Sequence, residues 1–216
     1  METKKIYVGT TEITKKYIGT SVVYEGDEIP YKTLSYLETT GTQYIDTGIV
    51  PNENQVIKIS FYVEDFTKNQ VFFGSRTSGL YNTSTDQMYF NMGTSTYSLI
   101  VILGVTMTTV PYNNNHRINY TIDIPALLAT NNITSVQTSF SGSFSGATQP
   151  HYLFALNNKG VPSAFGGRIY SFSIEENGVF ILDLVPVLDL NDVPCMYDRV
   201  SGELFHNAGT GQFNYA

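Results

Sequence analysis

The sequence predicts an all-β fold in which two antiparallel sheets pack face to face. Charged residues make up only 14% of the 216 residues and aromatic residues 13%, a composition typical of pleated sheets with one face in water. Short β-prone runs follow one another to the end of the chain, separated by Gly, Asn, Asp and Pro. No strand-helix-strand unit interrupts this rhythm, so the sequence favours a sandwich over a parallel sheet.

Eight segments of the body are predicted to be strands. Residues 56–63 and 168–174 alternate apolar and polar side chains, so each is expected to bury one face and expose the other. The remaining predicted strands are 71–73, 87–92, 97–105, 117–122, 152–155 and 179–185. Residues 124–129 are predicted to form one helical turn, because Pro125 stands near its first position.

The first 30 residues are predicted to be a separate unit with an internal repeat. Tyr7-Val-Gly-Thr-Thr-Glu-Ile13 recurs ten residues later as Tyr17-Ile-Gly-Thr-Ser-Val-Val23. Each copy places a Gly-Thr turn between β-prone stretches, which predicts two small hairpins. An isolated hairpin is marginally stable in water, so this unit is expected to lean on its own domain, a sister subunit or a larger particle. Residues 1–30 therefore form the predicted hairpin segment and linker, and residues 31–216 the main domain.

Charge and cysteine content exclude several classes of function. The formal net charge of −7 disfavours contact with phosphate backbones, so no nucleic-acid partner is expected. Cys195 is the single cysteine; it allows no internal disulfide and is predicted to be a buried structural thiol. No secretory signal is recognised at the N-terminus. The most apolar run, residues 99–103, is far too short to span a bilayer, so synthesis in a cytoplasm without membrane insertion is expected.

The sequence offers no catalytic constellation. Glycosidases need a carboxyl group on each side of the scissile bond, and some glycosidases that are built on β-sandwiches present these groups in a Glu-x-Asp-x-x-Glu pattern on one strand. Glu25-Gly-Asp27 begins such a pattern, but Pro30 occupies its third position. Glu175 and Glu176 are adjacent and would face opposite sides of a strand. No catalytic residue is therefore predicted, although carboxylates of different strands could still meet.

Metal and cofactor sites are not predicted either. His116, His151 and His206 are far apart and show no ligand spacing. Asp46, Asp86, Asp123 and Asp192 are conceivable calcium donors, but no compact acidic loop contains them. Asp46 is instead expected to accept hydrogen bonds from turn amides beside Gly48. No glycine loop opens a helix to cradle a phosphate, so no cofactor is expected.

One segment has the composition of a ligand-binding surface. Tyrosine supplies contact area at low entropic cost, and amide and hydroxyl groups hydrogen-bond the hydroxyls of a sugar ring. The segment between positions 76 and 97 contains both kinds of residue. Its candidate ligand-binding residues are Arg76, Tyr81, Asn82, Asp86, Tyr89, Asn91 and Tyr97. The alternative is that Tyr89 and Tyr97 are ordinary strand residues that pack across a sheet.

Several short motifs, most of them with glycine, follow one another along the body in a recognisable order. They are Leu34-Ser-Tyr-Leu-Glu through Thr47-Gly-Ile49, Phe73-Gly-Ser-Arg76, Tyr152-Leu-Phe-Ala155, Gly167-Arg-Ile-Tyr170, Asp183-Leu-Val-Pro-Val187 and Asn207-Ala-Gly-Thr-Gly-Gln-Phe213. Over roughly residues 34–213, the chain resembles the concanavalin A-like, laminin-G-like jelly-roll modules of bacteriophage virion proteins and gut-bacterial surface proteins. The resemblance implies a jelly-roll sandwich preceded by a docking segment.

The same resemblance implies that the protein functions by binding to other molecules. We expect a non-catalytic virion structural or adhesion protein of the head-fibre, tail-fibre or baseplate type, whose jelly roll contacts glycans or the host surface. Residues 1–30 would bind other virion proteins, and related appendages imply a homotrimer. Two alternatives stay open: a glycan-cleaving enzyme on the same scaffold, and a ligand-free particle-decoration protein.

Overall fold

The structure is a computed structural model that describes residues 7–8, 11–12, 16–18, 21–23, 29–63, 68–77, 87–93, 98–112, 117–144, 146–163 and 165–216. The chain divides into two compact units, Met1–Pro30 and Tyr31–Ala216. In the first unit, each copy of the sequence repeat forms an antiparallel strand pair. These strands are β1 (Tyr7–Val8) with β2 (Thr11–Glu12), and β3 (Lys16–Ile18) with β4 (Ser21–Val23).

The second unit consists of short strands joined by turns. In chain order these are β5 (Lys32–Thr33), β6 (Leu37–Glu38), β7 (Ile45–Asp46), β8 (Gln55–Tyr62), β9 (Gln70–Arg76), β10 (Gln87–Gly93), β11 (Ser98–Leu103), β12 (Thr106–Val110), β13 (Ile118–Asp123), β14 (Leu128–Asn131), β15 (Val136–Ser139), β16 (Tyr152–Leu153), β17 (Leu156–Asn158), β18 (Val161–Ser163), β19 (Arg168–Glu176), β20 (Val179–Leu188), β21 (Pro194–Asp198), β22 (Leu204–Phe205) and β23 (Asn214–Tyr215).

Two sheets contain these strands and confirm the predicted antiparallel jelly-roll sandwich. The larger sheet has the order β15-β14-β13-β8-β19-β20-β21-β22. In addition, β6 pairs with β19, β5 pairs with β20, and β23 pairs with β6. The smaller sheet has the order β12-β11-β10-β9-β16-β7, with β17 and β18 attached. Among the described strands, the pairing of β17 with β9 is parallel and the others are antiparallel.

The core lies between the two sheets and is rich in phenylalanine. The inward side of β8 supplies Ile57, Ile59 and Phe61, as the alternation of residues 56–63 predicts. Phe61 meets Phe72 and Phe90 of the smaller sheet, with ring centroids 4.3 and 5.4 Å away. Burying one such side chain contributes about 2 kcal/mol to folding. This repeated burial holds together a unit that has a single cysteine.

Two expectations about local structure were wrong. Residues 124–127 form a turn in which the Leu127 amide donates to the Ile124 carbonyl at 3.1 Å, and β14 begins at the next residue. The predicted helical turn is absent there because β13 and β14 pair as a hairpin, which needs a reversal at this point. Residues 97–105 were expected to be one strand, but the chain turns at Gly104, whose φ is 56°, and returns as β12.

Candidate binding surface

One end of the larger sheet carries a row of tyrosine and arginine side chains on its outer face. Arg168 on β19 lies opposite Tyr62 on β8 and opposite Glu38 on β6. Side chains directly opposite one another on paired strands lie on the same face of the sheet. The next residue, Ile169, is completely buried in the core, so Arg168 and its two partners lie on the outer face.

Two further side chains extend this row, which we call the Tyr–Arg row: Tyr36, Tyr62, Arg117, Arg168 and Tyr170. The Cζ atom of Arg168 is 4.1 Å from the ring centroid of Tyr36 and 5.4 Å from that of Tyr62. The Cζ atom of Arg117 is 4.3 Å from the ring centroid of Tyr170. Tyr36 and Tyr170 meet edge to face with their centroids 5.7 Å apart. Guanidinium groups and aromatic rings therefore alternate across the strands.

Polar contacts fix both guanidinium groups. The Arg168 Nη2 atom lies 3.4 Å from the Glu38 carboxylate, and the two side chains are 20% and 14% exposed. The Arg117 Nε atom donates to the Ser60 hydroxyl at 2.6 Å. A cation over an aromatic face contributes about 0.5–2 kcal/mol, depending on its exposure to water. Because the row is held by its own contacts, its rings lose little entropy when a ligand binds.

The chemistry of the row suits adhesion to a polar, ring-shaped ligand. The three tyrosines are partly exposed, and each combines an apolar ring with a phenolic hydroxyl. Guanidinium nitrogens donate hydrogen bonds in a fixed plane. Such a surface can pack against the apolar face of a sugar while its polar atoms bond to the ring hydroxyls.

The ligand surface predicted between residues 76 and 97 is only partly described. Tyr81, Asn82, Asp86 and Tyr97 lie outside the described residues. Arg76 is partly exposed, and its Nε atom donates to the Asn158 side chain at 3.2 Å. Tyr89 and Asn91 are only 3% and 6% exposed, so these two side chains offer a ligand almost no surface and the prediction for them needs correction.

The physical reason for that correction lies in the smaller sheet. Tyr89 belongs to a second apolar cluster on the face of the sheet that points away from the core, together with Val71, Ile100, Ile102 and Leu156. Alternation along β10 correctly separates Tyr89 from the core residues Met88 and Phe90. It cannot reveal that the opposite face is covered as well. Tyr89 thus packs across the sheet, which was the alternative interpretation of the sequence.

Three carboxylates line an open cleft of about 500 Å³ between β7 and the β20–β22 strands: Asp46, Asp198 and Glu203. Asp198 is almost fully buried. Its Oδ1 accepts from the amides of Asp183 and Val200, and its Oδ2 accepts from the amide and hydroxyl of Ser201. Asp46 accepts from the Gly48 amide at 3.0 Å, which confirms its predicted role in a turn. Asp198 is therefore committed to holding the chain reversal after β21.

Asp183 is a carboxylate with a perturbed proton affinity. Burial raises its pKa, and the guanidinium of Arg199 acts in the opposite direction. The Arg199 Nη2 atom lies 2.6 Å from the Asp183 Oδ2 atom, and Arg199 Nε donates to the same oxygen. This ion pair lies on the outer face, since Asp183 pairs across the strands with the outward Ser173. Asp183 thus has a structural partner for its charge.

Other reactive side chains lie in the interior or apart from one another. Cys195 is completely buried, and burial followed by the charge of Asp189 raises its pKa to about 11. His151 is completely buried, and His206 pairs with Asp189. In the part of the chain that the structure describes, no three His, Cys, Asp or Glu side chains are grouped to hold a metal ion. Within that same part, no helix has the length and apolar character needed to cross a membrane.

Sequence reasoning missed the Tyr–Arg row because its members come from four separate segments. Residues 34–38, 56–63, 117–122 and 168–174 meet only through long-range strand pairing. One signal was available: Tyr62 and Arg168 occupy polar positions in the two segments with the clearest alternation. That pattern marks them as outward-facing but does not bring them together.

Comparison with known proteins supports the fold. The sequence matches no family model and no curated protein. A proposed carbohydrate-binding protein of Bacteroides ovatus superposes with a TM-score of 0.51 at 12% identity, over 85% of this chain and 60% of that chain. NanB sialidase of Streptococcus pneumoniae gives a TM-score of 0.45 at 12% identity, over 85% of this chain and 39% of the sialidase.

A third structure comes from a virus. Tailspike protein 2 of Escherichia coli O157:H7 bacteriophage CAB120 gives a TM-score of 0.40 at 11% identity, over 70% of this chain and 27% of the tailspike. The chain thus spans 60% of the Bacteroides protein and less than half of the other two. At 12% identity, the likeness to the Bacteroides protein establishes a shared β-sandwich fold.

Proposed function

We propose that this chain is a non-catalytic contact protein whose β-sandwich binds glycans on a cell surface. The observation that carries the proposal is the Tyr–Arg row, in which three partly exposed tyrosines alternate with two guanidinium groups on one outer face. Sugar rings pack on such aromatic surfaces, and guanidinium and phenol groups bond to their hydroxyls. The carbohydrate-binding description of the similar Bacteroides protein agrees with this assignment.

Binding of the full chain to a panel of immobilised polysaccharides and oligosaccharides tests the proposal. We expect at least one glycan to bind saturably, with an affinity that falls when Tyr36 or Tyr170 is replaced by alanine. The absence of binding by the intact protein to any glycan would contradict the proposal and favour a ligand-free decoration protein.

We further propose that the protein is displayed on a bacteriophage particle as a fibre, tail or baseplate-associated component. This part rests on the resemblance of the sequence motifs to virion appendage modules and on the N-terminal hairpin unit, Met1–Pro30. Small hairpins gain stability when they pack on a partner, so this unit is suited to attach the sandwich to other virion proteins. The protein would be made in the host cytoplasm and act on the virion.

The proposed position on the virion predicts that the protein forms oligomers. We expect the full chain to form a homotrimer in solution or when mixed with the virion proteins that it contacts. Light scattering at micromolar concentration measures the mass directly. A clean monomer under both conditions would contradict the assembly part of the proposal and leave the glycan part intact.

A non-catalytic role predicts that the protein binds glycans without cleaving them. Asp198 lines the open cleft, and its carboxylate accepts hydrogen bonds from four donors. A carboxylate whose oxygens are engaged in this way is poorly suited to transfer a proton or to attack a sugar. We expect no turnover of any glycan that binds. Turnover abolished by one Asp or Glu substitution would replace this proposal with the glycosidase alternative.

A further inference from the structure

Arg117 differs from the other arginine of the Tyr–Arg row in how its charge is compensated. Arg168 is paired with the Glu38 carboxylate. Arg117 is exposed, and its contacts are the Ser60 hydroxyl at Nε and the Tyr170 ring beneath Cζ. Among the described residues, no carboxylate lies within ion-pair distance of Arg117 and no acceptor bonds to its two terminal nitrogens.

These contacts fix the orientation of the guanidinium plane without using its terminal edge. The bond from Nε to Ser60 holds one edge, and the stacking on Tyr170 holds one face. The two terminal nitrogens remain as a pair of parallel donors. Two parallel donors in one plane match the two oxygens of a carboxylate, or two oxygens of a sulfate or phosphate. Little further ordering of Arg117 is needed when such a group binds.

The net charge of the molecule is opposite in sign to the charge of Arg117. The chain has a formal net charge of −7, which disfavours the approach of anions in general. At the Tyr–Arg row, however, Arg117 presents a positive charge that no carboxylate of the described residues compensates. Tyr62 lies beside Arg117. In the antiparallel register Ile118 is opposite Phe61, so the residue before Ile118 lies next to the residue after Phe61.

We propose, on the basis of the glycan-binding function inferred above, that the glycan bound by the Tyr–Arg row carries an anionic group that is held by the terminal nitrogens of Arg117. The sugar ring lies against the neighbouring tyrosines, and the negative group lies over the guanidinium edge. The chemical class is an acidic glycan that bears a carboxylate, a sulfate or a phosphate.

Matched glycan pairs test this inference. The full chain is measured against oligosaccharides that differ only in one group: a uronic acid against its neutral sugar, a sulfated sugar against the unsulfated one, and a phosphorylated sugar against the unphosphorylated one. We expect the acidic member of at least one pair to bind about tenfold more tightly, which is the effect of one charge-assisted hydrogen-bonded contact. The three pairs distinguish the three possible sources of the charge.

Two variants assign the preference to Arg117. Arg117→Gln should reduce the ratio of the two affinities, acidic member over neutral member, to about one, whatever its effect on the affinity for the neutral member. Arg199→Gln is the matched control, because Arg199 is another exposed arginine whose partner is Asp183, outside the row. It should keep the full preference. Circular dichroism and thermal unfolding establish that both variants are folded.

The outcomes separate this inference from the proposed function. Equal binding of acidic and neutral members by the unaltered chain would overturn the inference while glycan binding stands. A preference that survives Arg117→Gln, or that Arg199→Gln removes, would also overturn it. Failure of every glycan to bind would overturn the proposed function and this inference together.

Discussion

His151 packs edge-on against Phe73 inside the sandwich, with ring centroids 5.6 Å apart and ring planes at 81°. The histidine is completely buried, and neither of its ring nitrogens has a hydrogen-bond partner in the described part of the chain. A buried imidazole without a partner is far easier to keep neutral than charged. Burial accordingly lowers the pKa of His151 to about 3.

Acid stability should depend on this residue. The pKa of His151 in the folded state, about 3, is below its ordinary value of 6.5, so the unfolded chain binds more protons between these two pH values. The free energy of unfolding therefore falls as the pH is lowered from 6.5 towards 3, by about 1.4 kcal/mol per pH unit from this group. His151→Leu should flatten this part of the curve, measured by urea unfolding at pH 4.5 and 7. Parallel pH curves for the two proteins would show that His151 has no such role.

Asp198 should be essential for the chain reversal after β21. Its two carboxylate oxygens accept four hydrogen bonds, three of them from backbone amides. Asp198→Ala leaves these donors without an acceptor in a buried place and should lower the free energy of unfolding by about 3 kcal/mol. Asp198→Asn keeps the shape and one oxygen acceptor and should cost less. Equal stability of the alanine variant and the unaltered protein in urea unfolding would refute this role.

Gly209 should tolerate no side chain. A Cβ atom at this position would lie 1.9 Å from the carbonyl oxygen of Thr42, where the C-terminal segment bonds to the chain before β7. Gly209→Ala must displace backbone and should cost about 3 kcal/mol. Gly178→Ala is the control: its Cβ would meet nothing within 4 Å, although its φ is +77°. That variant should lose about 1 kcal/mol from backbone strain alone. Thermal unfolding of both variants measures the difference, and equal losses would contradict the steric account.

The thiol of Cys195 should be inert in the folded protein. It is completely buried, and its pKa is raised to about 11, so almost no thiolate exists at pH 8. We expect no reaction with a disulfide reagent under native conditions and one equivalent of reaction in denaturant. Rapid labelling of the native protein would mean that the strands around β21 open readily.

The faces of the central strands were predictable from sequence because alternation is a local property. In residues 56–63, for example, Ile57, Ile59 and Phe61 are buried, and Tyr62 is on the outer face. In residues 168–174, Ile169 and Ile174 are both buried because the strand register shifts between Ile169 and Ser171, which alternation alone does not predict. The turn at Gly104 was missed because apolar residues flank it on both sides. Burial of both faces of a sheet cannot be read from one strand, which is why Tyr89 was mistaken for a contact residue.

The candidate site was much less predictable than the fold. Tyr36 and Tyr170 are far apart in the sequence and meet because β6 pairs with β19. The Gly-punctuated segments around these residues indicated the fold of the body. They did not indicate which strands would be neighbours, because register and strand order depend on packing across the whole sandwich.

If the Tyr–Arg row is the glycan-binding surface, a tyrosine within it should contribute more to binding than an exposed aromatic residue outside it. Titration calorimetry on the full chain compares the affinity of Tyr170→Ala with that of Phe180→Ala for one bound glycan. Phe180 is also an exposed aromatic residue beneath a cation, Lys58, at 5.3 Å. It pairs with Glu175, which is roughly 16 Å from Tyr170 along β19. We predict that Tyr170→Ala weakens binding about tenfold and that Phe180→Ala leaves it unchanged. Unchanged binding by Tyr170→Ala, with loss of binding by Phe180→Ala, would contradict the claim.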